Sequence, residues 1–395
     1  MTDAPIGDEF NAPRALPVGG FCDDAFAAVR EAFIANFMAL GEPGAAVTIS
    51  IGGRVVVDLW GGWSDRARVA PWKQDTLVNF FSVGKAFTTL CALRLVGAGL
   101  ADLDRPLARD WPEFAAGGKG EITLRHVLSH RAGLPAIARA LPDGSMLDWQ
   151  AMTKSLEEQT PWWQPGSAHG YHVNTFGYLV GELVRRLTGA TLGDMLREEI
   201  AKPLGADVHI GLPLSEHGRV AEFHWPEGGR PAMPGNLAGD ALMRWNTYWN
   251  PPGISGAGWV NTAAWRSAEI PSTNGHGTAR GVARIYAALV RGGATDGVEI
   301  VGGDLLREAV RTHSFGIDRV LERTTRFGLG FQLPHEERKL GPNGGAFGHV
   351  GAGGSLGFCD PETGLAFAYV TNDMGPRWQN PRNRALVDAA YASLA

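Results

Sequence analysis

Strand signals gather toward the two ends of this chain, while its middle reads as helix and loop. Ala46 to Ser50 and Val55 to Trp60 are β-rich runs joined by Gly52-Gly53-Arg54, a hairpin signal. Far downstream, Ser355 to Cys359 and Leu365 to Thr371 make a second hairpin around Asp360-Pro361-Glu362-Thr363-Gly364, and Phe327 to Leu333 is a further strand candidate. The spacing predicts one antiparallel sheet built from both chain ends. Helical patterns flank these runs over residues 23–40, 83–96, 279–291 (capped by Thr278) and 383–394. Between about 118 and 272 the helical segments 123–129, 148–158, 176–188 and 192–200 alternate with loops rich in proline, glycine and tryptophan. The expected fold is α+β: residues 1–117 and 273–395 form a sheet domain flanked by helices, and 118–272 an inserted, mostly α-helical domain. A cleft between two such parts is a preferred place for a ligand.

Composition excludes several classes. A net charge of −5 with scattered basic residues leaves no electrostatic footprint for nucleic acid. No apolar run approaches the length of a membrane span, and Met1 to Glu9 has neither the basic nor the apolar region of a secretory signal. Cys22, Cys91 and Cys359 are odd in number and widely spaced, against a disulfide framework or a zinc site. A cytoplasmic protein without cofactor is expected; oligomeric state is not legible.

Asn79-Phe80-Phe81-Ser82-Val83-Gly84-Lys85 carries the chemistry. Val83, Ala86, Phe87, Leu90 and Cys91 follow as a helical apolar stripe, which puts Ser82 at the helix mouth. Unsatisfied N–H groups and the positive dipole end favour developing negative charge there. Lys85 shares the face of Ser82, and an uncharged lysine can take a serine proton. The plain alternative is a helix-capping serine beside a solvated lysine. Gly170-Tyr171-His172-Val173-Asn174-Thr175 offers a tyrosine at a helix start, able to shuttle protons or simply to pack. Phe347-Gly348-His349-Val350-Gly351-Ala352-Gly353-Gly354 offers a strand that can approach a substrate closely, its N–H completing an oxyanion hole with the Ser82 amide.

In this order the motifs resemble those of the serine hydrolases of the class C β-lactamase and penicillin-binding-protein superfamily: Ser-x-x-Lys, then Tyr-x-Asn, then Lys/His-x-Gly. Ser82 and Lys85 match the first, Tyr171 the start of the second, and His349-Val350-Gly351 the third. Leu128 to Pro135 and Asn274 to Arg280 resemble the same superfamily, and the likeness runs over roughly 25–390. It implies a β-lactamase/transpeptidase-like fold, catalysis by Ser82, Lys85 and Tyr171, and an oxyanion hole from the amides of Ser82 and Ala352, with His349 and Gly351 in the third motif. Val173 stands where asparagine is usual, and histidine replaces the third-motif lysine. Both departures resemble family VIII carboxylesterases. The expectation is hydrolysis of short-chain carboxylic esters through an acyl-enzyme, with a β-lactamase or D-amino-acid peptidase as the alternative and a non-catalytic binding descendant as a third reading. Whether Lys85 or Tyr171 is the primary base stays open.

Two matches are set aside. Gly353-Gly354-Ser355-Leu356-Gly357 fits a G-x-S-x-G elbow, but a strand follows it and no histidine lies beyond His349. His126 and His130 have a zinc-like spacing without a neighbouring general base, and read as a helix-end polar pair.

Overall fold

The computed structural model describes residues 15–226, 231–375 and 380–394. Six strands form one antiparallel sheet: β1 (Val18–Cys22), β2 (Gly44–Ile51), β3 (Arg54–Gly62), β4 (Phe347–Val350), β5 (Leu356–Asp360) and β6 (Leu365–Thr371). Their spatial order is β1-β3-β2-β6-β5-β4. The two end hairpins meet at the β2–β6 seam, where Leu365 opposes Ile51 and Thr371 opposes Ala45.

Five longer helices frame the sheet and the site: α1 (Ala27–Ala39), α2 (Gly84–Gly97), α3 (Thr175–Thr188), α4 (Ala279–Val290) and α5 (Pro381–Ala392). Alternation along β6 sorts its side chains. Leu365, Phe367 and Tyr369 join Phe33 and Phe37 of α1 and Leu386 and Val387 of α5. Ala366, Ala368 and Val370 face the other way, into a cluster with Val282 and Tyr286 of α4. Small residues let α4 lie close, since a Cβ on Gly357 would come 2.4 Å from the Tyr286 ring. Covered on both faces, β6 is buried throughout.

α2 is buried on every side from Gly84 to Leu93, so it is a core helix rather than a half-wet one. The chain enters it from Val78–Asn79, the edge of a small antiparallel sheet with His276–Gly277 and Val208–His209. Between residues 98 and 272 the longer helices are Trp149–Glu158, α3 and Gly239–Trp249. Among the described residues no helix is long and apolar enough to cross a membrane.

Phe327 to Leu333 is not one strand. Thr324–Phe327 pairs with Ser314–Ile317, and the chain then turns through Gly328 and Gly330 before Gln332 bridges to Gly348. Gly330 sits at φ +70°, and a Cβ there would collide with Thr89. The glycine-rich edge strand β1 and the helix Gly239–Trp249 lie outside the expected elements, although Leu242, Trp245 and Trp249 recur at helical spacing. The closing helix starts earlier than its apolar pattern, at Pro381, because Asn380 caps it by accepting from Arg382 N–H.

Candidate active site

Ser82 lies in a tight turn, Phe81–Val83, immediately ahead of α2. Phe80 N–H donates to the Gly275 carbonyl at 2.9 Å, and Asn79 is held through Thr273 O and the Trp265 indole, both at 2.9 Å. Phe81 is left at φ +51°, a conformation that costs about 1–3 kcal/mol in a side-chain-bearing residue. Packing of its ring on Phe223 (4.9 Å between centroids) and Trp225 (6.2 Å) holds it there. The turn therefore presents Ser82 at the α2 N-terminus.

Lys85 is fully buried in the first turn of α2. Its Nζ lies 3.2 Å from Ser82 Oγ, 2.6 Å from the Val173 carbonyl and 3.0 Å from the Ser272 carbonyl. Burial holds this amine well below the ordinary lysine range. In its neutral form this amine would have two N–H donors for the two carbonyls and a lone pair for the Ser82 hydroxyl.

Tyr171 is buried beside them, its ring centroid 4.8 Å from Lys85 Nζ. It stacks on Phe327 with the planes 2° apart, and His130 meets it edge-on. Both Asp318 carboxylate oxygens accept its backbone N–H, at 3.1 and 3.0 Å. Burial pushes the phenol above its usual range, while the nearby Ser82 hydroxyl works against it. His349 Nε2 lies 3.5 Å from the phenol oxygen, and its Nδ1 is 2.9 Å from the Val350 carbonyl. That second contact puts the His349 proton on Nδ1, leaving Nε2 as an acceptor for the phenol. His349 is fully buried and held well below the usual histidine range by desolvation, with Lys85 adding to the effect.

β4 runs onto the Ser82 turn. A Cβ on Gly351 would stand 2.2 Å from the Phe80 carbonyl, so only glycine lets the two backbones approach. Ala352 follows, half-buried, and among the described residues its amide donates no hydrogen bond. Ser82, Lys85, Tyr171, His349, Gly351 and Ala352 thus all come from the segments that converge on the α2 mouth. Asn174 does not serve the cleft: its amide group donates to Thr247 O and Ser255 Oγ and accepts from Thr273 Oγ1.

Ser355 is fully buried, its Oγ taken by Thr371 N–H, and β5 rather than a helix follows it. The paired reading of His126 and His130 needs correction. His126 completes a capping box with Thr123, whereas His130 is fully buried against Tyr171 and Phe327. Among the described residues no group of His, Cys, Asp or Glu is arranged to hold a metal ion. Sequence reading missed the Val173 and Ser272 carbonyls, which no residue type announces, and Asp318, which is distant in the chain from every motif.

Comparison with known proteins bears on the fold and the family. The chain is 35% identical over 371 residues to Esterase/beta-lactamase LipL of Mycobacterium tuberculosis, covering 90% of this chain and 83% of that protein. A family VIII carboxylesterase crystal structure superposes with a TM-score of 0.87 at 38% identity, over 95% of this chain and all of the other. A penicillin-binding protein homologue from Caulobacter crescentus gives a TM-score of 0.87 at 42% identity, with the same coverage of both chains. Residues 30–392, nearly all of the sheet, α2 and the motif strand β4, match the Beta-lactamase family, and the chain belongs to that family.

Proposed function

We propose that the protein is a serine carboxylesterase that cleaves short-chain esters through an acyl-enzyme on Ser82. The observation that carries this is the buried Lys85 amine, its Nζ 3.2 Å from Ser82 Oγ and within hydrogen-bond distance of the Val173 and Ser272 carbonyls. As Ser82 attacks the ester carbonyl, Lys85 takes its proton. The amides of Ser82 and Ala352 receive the oxyanion, and Tyr171 delivers a proton to the leaving alcohol. Water then attacks the acyl-enzyme, giving a proton to the Tyr171 phenolate left by the first step, and the Ser82 ester bond breaks as Lys85 returns the serine its proton. His349 orients the phenol by accepting from it. Lys85 rather than Tyr171 is the primary base, because burial favours the neutral form of each and a neutral amine is a far stronger base than a neutral phenol.

Substrate class is read from the residues at the second and third motif positions. A neutral His349 supplies no fixed cation for a carboxylate, and Asn174, satisfied inside the protein, supplies no anchor for a lactam amide. The rings of Phe81, Phe223 and Trp225, clustered beside the nucleophile turn, suit a compact acyl group. The relatives named esterase and carboxylesterase support the same reading. It takes residues 118–272 as the inserted helical part and places the protein in a reducing compartment, where three buried free thiols are at ease.

The kcat/KM for an aryl acetate or butyrate is expected to exceed that for nitrocefin by about a hundredfold, roughly 3 kcal/mol of transition-state discrimination. Comparable efficiency on the two would instead make the protein a β-lactamase.

A further inference from the structure

We propose that Asp318 is a positioning residue for Tyr171, holding the phenol over Ser82 and thereby setting turnover rather than substrate binding. The inference rests on the reading of Tyr171 as the proton carrier. Asp318 is fully buried where the chain leaves strand Ser314–Ile317. Its Oδ1 accepts from Val320 N–H and Leu321 N–H, both at 2.9 Å, which serves its own turn. A turn of that kind needs no more. Yet both oxygens also accept Tyr171 N–H, 147 residues away in the chain, and Oδ2 takes Thr325 Oγ1 at 3.2 Å.

The hairpin Ser314–Phe327 grips the tyrosine loop at several points. Arg319 N–H donates to His169 O at 3.1 Å, and His169 Nε2 lies 2.9 Å from Thr325 Oγ1. Phe327 ends the same hairpin, and its ring lies parallel to that of Tyr171 at 5.7 Å. Backbone and ring of Tyr171 are therefore both fixed by one hairpin. The residues around it, Gly170–Val173, form no helix or strand of their own. Without the carboxylate, the N–H groups of Tyr171, Val320 and Leu321 lose their acceptor, and Tyr171 loses its backbone anchor. A small displacement of a proton-transfer group lowers kcat and leaves ground-state binding nearly alone.

The test is a double-mutant cycle with an aryl butyrate, comparing Asp318→Ala and Tyr171→Phe singly and together. Asp318→Ala is expected to lower kcat by about ten- to a hundredfold with KM within about threefold, as suits a group acting through general acid–base catalysis. In the Tyr171→Phe background the same change should cost less than about threefold, since it acts through the phenol. Asp318→Asn should recover part of the lost kcat: its carbonyl keeps the bonds to Val320 N–H and Leu321 N–H and one of the two to Tyr171 N–H, while its NH2 in place of Oδ2 can donate to Thr325 Oγ1 but not accept from Tyr171. If Asp318→Ala does not fold, Thr325→Val, which removes only the hydroxyl, should show the same pattern in smaller measure. An equal loss in both backgrounds, a loss carried by KM, or an Asn variant as poor as Ala would overturn the proposal. Full activity in Tyr171→Phe alone would instead overturn the assignment of Tyr171 on which it rests.

Discussion

Lys85 shows how burial converts an ordinary cation into a base. Free lysine titrates near about 10.4, so it is almost wholly protonated at neutral pH. Inside the core the charged form loses hydration, and the two carbonyls at Nζ recover only part of it. A lowered lysine pKa means that the neutral, reactive form is reached at a lower pH than in free lysine. The kcat/KM profile should therefore rise through an acid limb and reach its plateau well below the free-lysine value of about 10.4. The raised phenol keeps Tyr171 protonated across that plateau, so no fall is expected until strongly alkaline pH. A rate that keeps climbing toward the free-lysine value would mean that Lys85 is charged at work and that Tyr171 is the base.

Among elements, the decisive contact is between β4 and the turn before α2. Gly351 makes it possible, because any side chain there would strike the Phe80 carbonyl. Gly351→Ala is expected to push the Ala352 amide away from Ser82, lowering kcat/KM by at least about tenfold while overpacking costs roughly 1–3 kcal/mol of stability. Activity within about twofold of the parent, in steady-state assays beside a melting curve, would show that this approach is dispensable. The elements themselves were largely legible. The β2–β3 and β5–β6 hairpins, α2 and α4 announced themselves through β-rich runs, an apolar stripe and a Thr278 cap. The failures have local causes. Gly328 and Gly330 turn the chain inside an apolar run that looked continuous, and in Val-Gly-Gly-Phe-Cys two glycines interrupt the strand-forming residues of an edge strand.

On the scale of the whole molecule, the two chain ends are tied by a buried polar cluster as well as by the sheet. Glu42, just before β2, accepts from the Tyr369 hydroxyl of β6, and Arg382 of α5 lies 4.0 Å away while pairing with Asp373 at 2.8 Å. Burial raises the Glu42 carboxyl from 4.5 to about 7. In this interval the folded protein holds a proton that the unfolded chain releases, so the contribution of Glu42 to stability falls as pH rises from 4.5 to about 7. Glu42→Gln should remove that dependence, stabilising the protein at about pH 8 by roughly 2–3 kcal/mol relative to its effect near about pH 4. Denaturant midpoints of the two proteins at both pH values check this, and an offset independent of pH would refute it. The same long-range character explains what the sequence hid at the site. Ser82, Lys85, Tyr171 and His349 were readable as motifs, but the acceptors that tune them, Val173 O, Ser272 O and the Asp318 carboxylate, become neighbours only once the chain has folded.

The account stands or falls on Ser82. Intact-mass spectrometry of the protein quenched during turnover of an aryl butyrate should reveal a single butyryl adduct, and peptide mapping should place it on Ser82. Ser82→Ala should form no adduct and lose activity on the order of a million-fold, as deletion of other serine nucleophiles does. An adduct on Ser355, or more than about one per cent of activity left in purified Ser82→Ala, would contradict the mechanism at its root.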